Sequence, residues 1–95
     1  VRNGGNNDKS PQISPAMSKE MQAKQRAATE QLLSATEGNL KRIEGRQLDA
    51  NQQAMLTQIR TYEKQSKAAS ASGDIERANT LAQKARLLSE DLARR

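Results

Sequence analysis

The side chains of this 95-residue sequence that could do chemistry are carboxylates, amines, guanidinium groups and hydroxyls, because it contains neither histidine nor cysteine. Their absence removes the commonest general base, the thiol nucleophile and the best transition-metal ligands, and with them most enzymatic chemistries. Glu90 and Asp91 are adjacent acids, but neighbours on a helix point about 100° apart and do not converge on one substrate atom. Glu20–Lys24, Glu37–Lys41, Glu63–Lys67, Glu90–Arg94 and Asp91–Arg95 each place the acid four residues before the base. That order stabilises a helix surface, so these acids are assigned to solvated faces. Gly4-Gly5 and the stretch from Gly38 to Gly45 lack the GK[ST] ending of a phosphate loop, and their expected role is capping or a packing gap. No catalytic residue, cofactor or metal ligand is expected, and the chain reads as non-enzymatic.

A formal charge of +5 and a pI near 10 invite a nucleic-acid reading, so the distribution of charge decides. Residues 1–15 carry +1, residues 16–45 carry +1, residues 46–72 carry +2 and residues 73–95 carry +1. Arg42, Arg46, Arg60, Lys64 and Lys67 form the densest basic set, with Glu63 among them. They could contact phosphate, which makes a helical nucleic-acid binder the alternative function. Tyr62 is the only aromatic residue, too few for a base-stacking platform, and is expected in the core or an interface with its hydroxyl at the edge.

The elements that would position these groups are helices. Ala, Gln, Leu, Lys, Arg and Glu dominate, and strand-forming β-branched and aromatic residues are scarce, which predicts an all-α fold. Residues 1–15, dense in Gly, Asn, Ser and Pro, read as a disordered leader, and residues 16–95 as a single helical domain. Ser14-Pro15 has the composition of a helix start. A first helix is predicted over about 16–44, with Met17, Met21, Ala28, Leu32, Ala35, Leu40 and Ile43 along one face, and either Gly38 or Gly45 ending it. Asp49, followed three residues later by Gln52, resembles a capping box. It opens a second helix whose stripe is Met55, Ile59, Tyr62, Ser66 and Ala69, at the four-three spacing of a heptad.

Gly73 and Asp74 give the clearest turn signal, a left-handed helix stop followed by a cap for the next helix. The third helix presents Ile75, Ala78, Leu81, Ala82, Ala85, Leu88 and Leu92 over an arc of roughly 140°. An antiparallel hairpin of about 50–71 and 74–93 results. Helix one, or a second copy of the chain, would cover the remaining apolar edge in a three-helix or coiled-coil-like arrangement. Core or interface positions are Leu40, Ile43, Met55, Leu56, Ile59, Tyr62, Ile75, Leu81, Leu88 and Leu92. Leu33, Leu56 and Leu87 fall off the main stripes, as ordinary surface leucines or as part of a partner surface.

The core is small. Eighteen residues are large and apolar, none of them Phe or Trp, and a chain of this length withdraws only roughly 60 to 65% of its surface from water. Self-association, or docking of another helical protein, is therefore expected. No apolar run approaches the roughly 20 residues of a membrane span, and the N-terminus has no signal-peptide pattern.

The stretch Arg46 to Leu92, with its LDANQQ start, QIRTYEKQS segment, GD turn and ERANTLAQKARLLSEDL helix, resembles the C-terminal helical hairpin of small uncharacterised bacterial envelope lipoproteins. Its last helix is also similar to one helix pair of a tetratricopeptide repeat. The resemblance covers about half the chain and implies an all-α, envelope-associated or periplasmic protein with no catalytic residues to carry over. The sequence departs from that pattern in having no lipid-bearing cysteine, and a cytoplasmic location stays open. Together these features predict a structural or protein-interaction module.

Overall fold

The computed structural model describes residues 18–95. Three helices follow in order, α1 (Lys19–Ile43), α2 (Ala50–Ala71) and α3 (Ile75–Arg94), with no strand among the described residues. The fold is all-α. The expected leader, the Ser14-Pro15 start and Met17 lie outside the described residues. Ser18 caps α1 instead: its backbone is extended, and its hydroxyl accepts from the Met21 N–H at 3.1 Å. The helix thus starts at Lys19 rather than near residue 16.

Gly38 does not end α1. The helix continues to Ile43, where a type II turn stops it: Glu44 is extended, Gly45 sits at φ +86°, and the Arg46 N–H donates to the Ile43 carbonyl at 3.0 Å. Such a turn needs a positive φ at its third residue, which glycine adopts without cost from a Cβ. Asp49 and Gln52 then close a reciprocal capping box, with bonds of 2.8 and 2.9 Å. The next turn is a Schellman motif. Gly73, at φ +88°, donates to the Ser70 carbonyl at 3.1 Å, and the Asp74 N–H donates to that of Ala69 at 2.8 Å. The Asp74 carboxylate accepts from the Arg77 N–H at 3.3 Å and caps α3. One residue therefore finishes one helix and starts the next.

These turns set an up-down-up bundle. Asn79 lies against Thr29 and Asn39 against Ser89, so α1 and α3 run parallel with a constant offset in sequence. Arg26 meets Ser70 and Glu37 meets Arg60, so α2 runs antiparallel to α1 and hence to α3. α3 is the shared element, packed along its length by α1 on one side and α2 on the other. Its wide apolar arc is accordingly covered within one chain. Ile75, Ala78, Leu81, Ala82, Ala85 and Leu92 are all buried.

The main core joins Leu40 and Ile43 of α1, Ile59 of α2, and Ala85 and Leu92 of α3. Leu48, Met55, Leu56, Tyr62 and Leu88 pack half-buried around it. A second cluster of Ala69, Ala78 and Leu81, with Tyr62 beside it, fills the hairpin end. Leu56, read as lying off the stripe, belongs to the rim of the first cluster.

The stripe expected on α1 is corrected. Met21, Ala28 and Ala35 are exposed, while Thr29 and Thr36 are buried with Leu40 and Ile43. The buried face is Thr29, Leu33, Thr36, Leu40 and Ile43, itself a four-three heptad pattern, with Leu33 half-buried. Thr36 sits there because its hydroxyl donates to the Leu32 carbonyl at 2.8 Å, leaving its methyl group for the core. Thr29 accepts from Asn79 at 3.1 Å. Met21 lacks a neighbour to cover it because, in the register set by those pairs, it lies beyond the start of α3.

Candidate functional site

Among the described residues, two of the grooves on the bundle are lined by α1. Where α1 and α2 face each other, a groove of about 290 Å³ has Leu40, Ile43, Leu48 and Leu56 in its walls and Lys41, Glu44 and Arg46 among its charged lining. Glu37 and Arg60 also line it, and beside them lies a cluster that helix periodicity alone does not assemble. Arg60 Nη1 is 3.5 Å from Glu37 Oε2 and 3.6 Å from Glu63 Oε1. Glu63 was assigned to a solvated face with Lys67, but its side chain is only 8% exposed. Its position, four residues after Ile59 and three before Ser66, places it on the buried face of α2. That spacing was the available signal, masked by the favourable Glu63–Lys67 order.

Burial is the main cause that pushes the Glu63 carboxyl up to about 7, and the neighbouring Glu37 carboxyl raises it further; Arg60 and Lys67 pull the other way. The other surface pairs also differ from expectation. Asp91 does meet Arg95, at 3.1 Å, but Glu90 takes Arg86 rather than Arg94. Within the basic set, Arg60 and Lys64 line one shallow groove on α2. Arg60 is tied to two acids, Arg46 donates to the Ala93 carbonyl at 3.5 Å, and Arg42 donates to Asn39 at 3.5 Å. Lys84 lies over the Tyr62 ring, 5.8 Å from its centroid.

The second groove, about 440 Å³, runs between α1 and α3. Ala28, Leu32 and Leu87 supply its apolar lining, and Gln31, Gln83 and Arg86 its polar lining. Leu87 is 56% exposed there. Arg86 is neutralised by Glu90, so the groove carries no unpaired charge. Set against protein-family models, curated proteins and solved structures, the chain has no match.

Among the described residues, no three carboxylates converge closely enough to hold a metal ion, and no helix is long and apolar enough to cross a membrane. Of the expected core or interface positions, Leu40, Ile43, Ile59, Ile75, Leu81 and Leu92 are buried, and Met55, Leu56, Tyr62 and Leu88 sit at the core edge. Gly73 and Asp74 form the turn between α2 and α3. Of the five buried polar groups among the described residues, sequence reasoning placed Ser66 on the inner stripe and missed Glu63, Thr29, Thr36 and Ser89.

Proposed function

We propose that this chain is a non-enzymatic structural module that associates with a second copy of itself through the α1–α3 groove. The observation that carries this is Leu87, more than half exposed in a groove whose other lining is alanine, leucine, amides and a neutralised arginine. A two-fold contact brings the same patch against itself. Amides of Gln31 and Gln83 can both donate and accept, so they can satisfy each other, and the absence of an unpaired charge removes the repulsion two like copies would otherwise feel. The α1–α2 groove is less suited to a copy, since Lys41, Arg46, Glu37 and Glu44 line it. Against the nucleic-acid alternative stand the acids Glu37 and Glu63, 3.5 and 3.6 Å from Arg60, one of its basic residues.

Sedimentation equilibrium over a wide concentration range tests the reading. The wild type is expected to gain mass with concentration, and Leu87→Lys, which places like charges face to face, is expected to stay monomeric. A wild type that remains monomeric, or a variant that associates equally well, overturns it. The resemblance of residues 46–92 to envelope-lipoprotein hairpins is the ground for placing this scaffold at a bacterial envelope, which cell fractionation tests.

A further inference from the structure

α1 is longer than the hairpin it packs on. Thr29 meets Asn79 and Asn39 meets Ser89, each pair fifty residues apart, so a residue of α1 lies level with the residue of α3 fifty positions on. By that register α3, which starts at Ile75, begins level with Gln25. α2 ends at Ala71, one residue past the Ser70 that Arg26 reaches. Residues 19–24 of α1 therefore overhang both neighbours. Met21 stands on this overhang, 55% exposed, and Leu87 is 56% exposed on α3; they are the exposed large apolar residues among those described.

Met21, Ala28 and Ala35 recur at seven-residue intervals, so they share one face of α1, and all three are exposed. Ala28 and Leu87 line the same α1–α3 groove. At the rise of an α-helix, Met21 lies about 10 Å before Ala28 along the axis, and Leu87, level with Glu37, about 14 Å beyond it. The two uncovered side chains thus stand at similar distances on opposite sides of Ala28.

We propose that a second copy docks antiparallel on this face with the two-fold axis at Ala28, so that Met21 of each copy fills the space over Ala35 and against Leu87 of the other. This rests on the self-association proposed above and gives it a register. A half-turn about Ala28 reverses the helix direction and carries the overhang of one copy to the level of Ala35 and Leu87 in the other. The operation is its own inverse, so both contacts form at once and the pair closes. The occupant is a second copy because the apolar projection and the place for it lie on one chain, at matched distances from one point. Size agrees: alanine at 35 leaves the room that methionine needs, and alanine at the axis lets the two α1 helices approach closely. Charge agrees as well. Lys24 of the overhang stands about 12 Å along the axis from its own copy, beyond the roughly 8 Å over which physiological salt screens repulsion. The stripe that apolar spacing assigns to the core is then covered by a second chain instead of its own.

The chain contains no cysteine, so single cysteines report the register without background. Full-length Ala28→Cys, at the axis, is expected to form a disulfide dimer under mild oxidation about tenfold or more faster than Ala54→Cys, an exposed position on α2, because the bond needs Cα atoms within about 7 Å. Met21→Cys and Ala35→Cys should each link slowly alone, since each lies about 20 Å along the axis from its own copy, and rapidly when the two variants are mixed. Sedimentation tests the second contact: Met21→Glu and Leu87→Lys should each weaken association, and the two changes in one chain should restore it. Equal rates at Ala28 and Ala54, a mixture that links no faster than its components, or a double variant no tighter than the single ones, in a wild type that dimerises, overturns the register and leaves self-association standing. A wild type that stays monomeric overturns both.

Discussion

The Ser66 hydroxyl on α2 donates to the Ala78 carbonyl of α3 at 2.7 Å, from a side chain that solvent does not reach. The bond requires the two helices to approach closely, and the small residues Ala69, Ala78 and Ala82 permit it. Ser66→Ala removes the bond while leaving the approach, and should cost about 1 kcal/mol. Ser66→Leu forces the helices apart and should cost about 1–3 kcal/mol beyond that. Urea midpoints that rank the two variants in the opposite order would show that the site has room to spare.

Thr36 and Thr29 are both buried, yet their hydroxyls do different jobs. That of Thr36 bonds only within its own helix, to Leu32, so Thr36→Val keeps the shape and is expected to be neutral or stabilising by up to about 1 kcal/mol. That of Thr29 accepts from Asn79 on α3. Thr29→Val strips that donor of its partner and should destabilise by about 1–2 kcal/mol, a contrast that thermal melts of the two variants would reveal.

Gly38 and Gly45 should respond to alanine with opposite signs. A Cβ at Gly38 meets nothing within 4 Å, and the residue lies inside α1, so Gly38→Ala is expected to stabilise by about 0.5–1 kcal/mol. Gly45 also has space, but its φ of +86° strains any L side chain, and Gly45→Ala should cost about 1–2 kcal/mol. Chemical denaturation of the two single variants checks both.

Ile59 is fully buried at the meeting point of all three helices, against Leu40 and Ile43 from α1 and Ala85 and Leu92 from α3. Ile59→Ala should cost about 2–5 kcal/mol through lost burial and the cavity left behind. Ile59→Asp would bury a charge with no partner and should abolish the cooperative thermal transition seen by circular dichroism. Retention of that transition by the aspartate variant would place the core elsewhere.

The Glu63 carboxyl links global stability to pH. Its pKa is raised from an ordinary carboxylate value of 4.5 to about 7 in the folded chain, so between those values the folded state holds more protons than the unfolded state. The stability it contributes is full below about pH 4.5 and is lost as pH rises to about 7. A loss on the order of 2 kcal/mol is expected between about pH 5 and 8, since each pH step of one between the two pKa values removes about 1.4 kcal/mol, less an allowance for solvent reaching Glu37. Urea unfolding at the two pH values should show it in the wild type, and Glu63→Gln should remove most of it.

The sequence by itself determined that there are three helices and where α2 starts and stops, while it left the end of α1 open between Gly38 and Gly45. Composition excluded strands, the Asp49–Gln52 box and the Gly73-Asp74 turn act within a few residues, and such local signals need no tertiary partner. The apolar stripes of α2 and α3 were legible for the same reason, since a helix carries its own periodicity. Tertiary packing decided which face of α1 turns inward. Apolar residues alone point to Met21, Ala28 and Ala35, whereas the parallel pairing with α3 selects Thr29 and Thr36, whose hydroxyls find acceptors or donors only there or in their own helix. Packing also turned Glu63 from a surface acid into a buried one beside Glu37, twenty-six residues away in sequence. Charge spacing along one helix describes how a side chain pairs in water; whether water reaches it depends on the neighbour that the fold brings alongside.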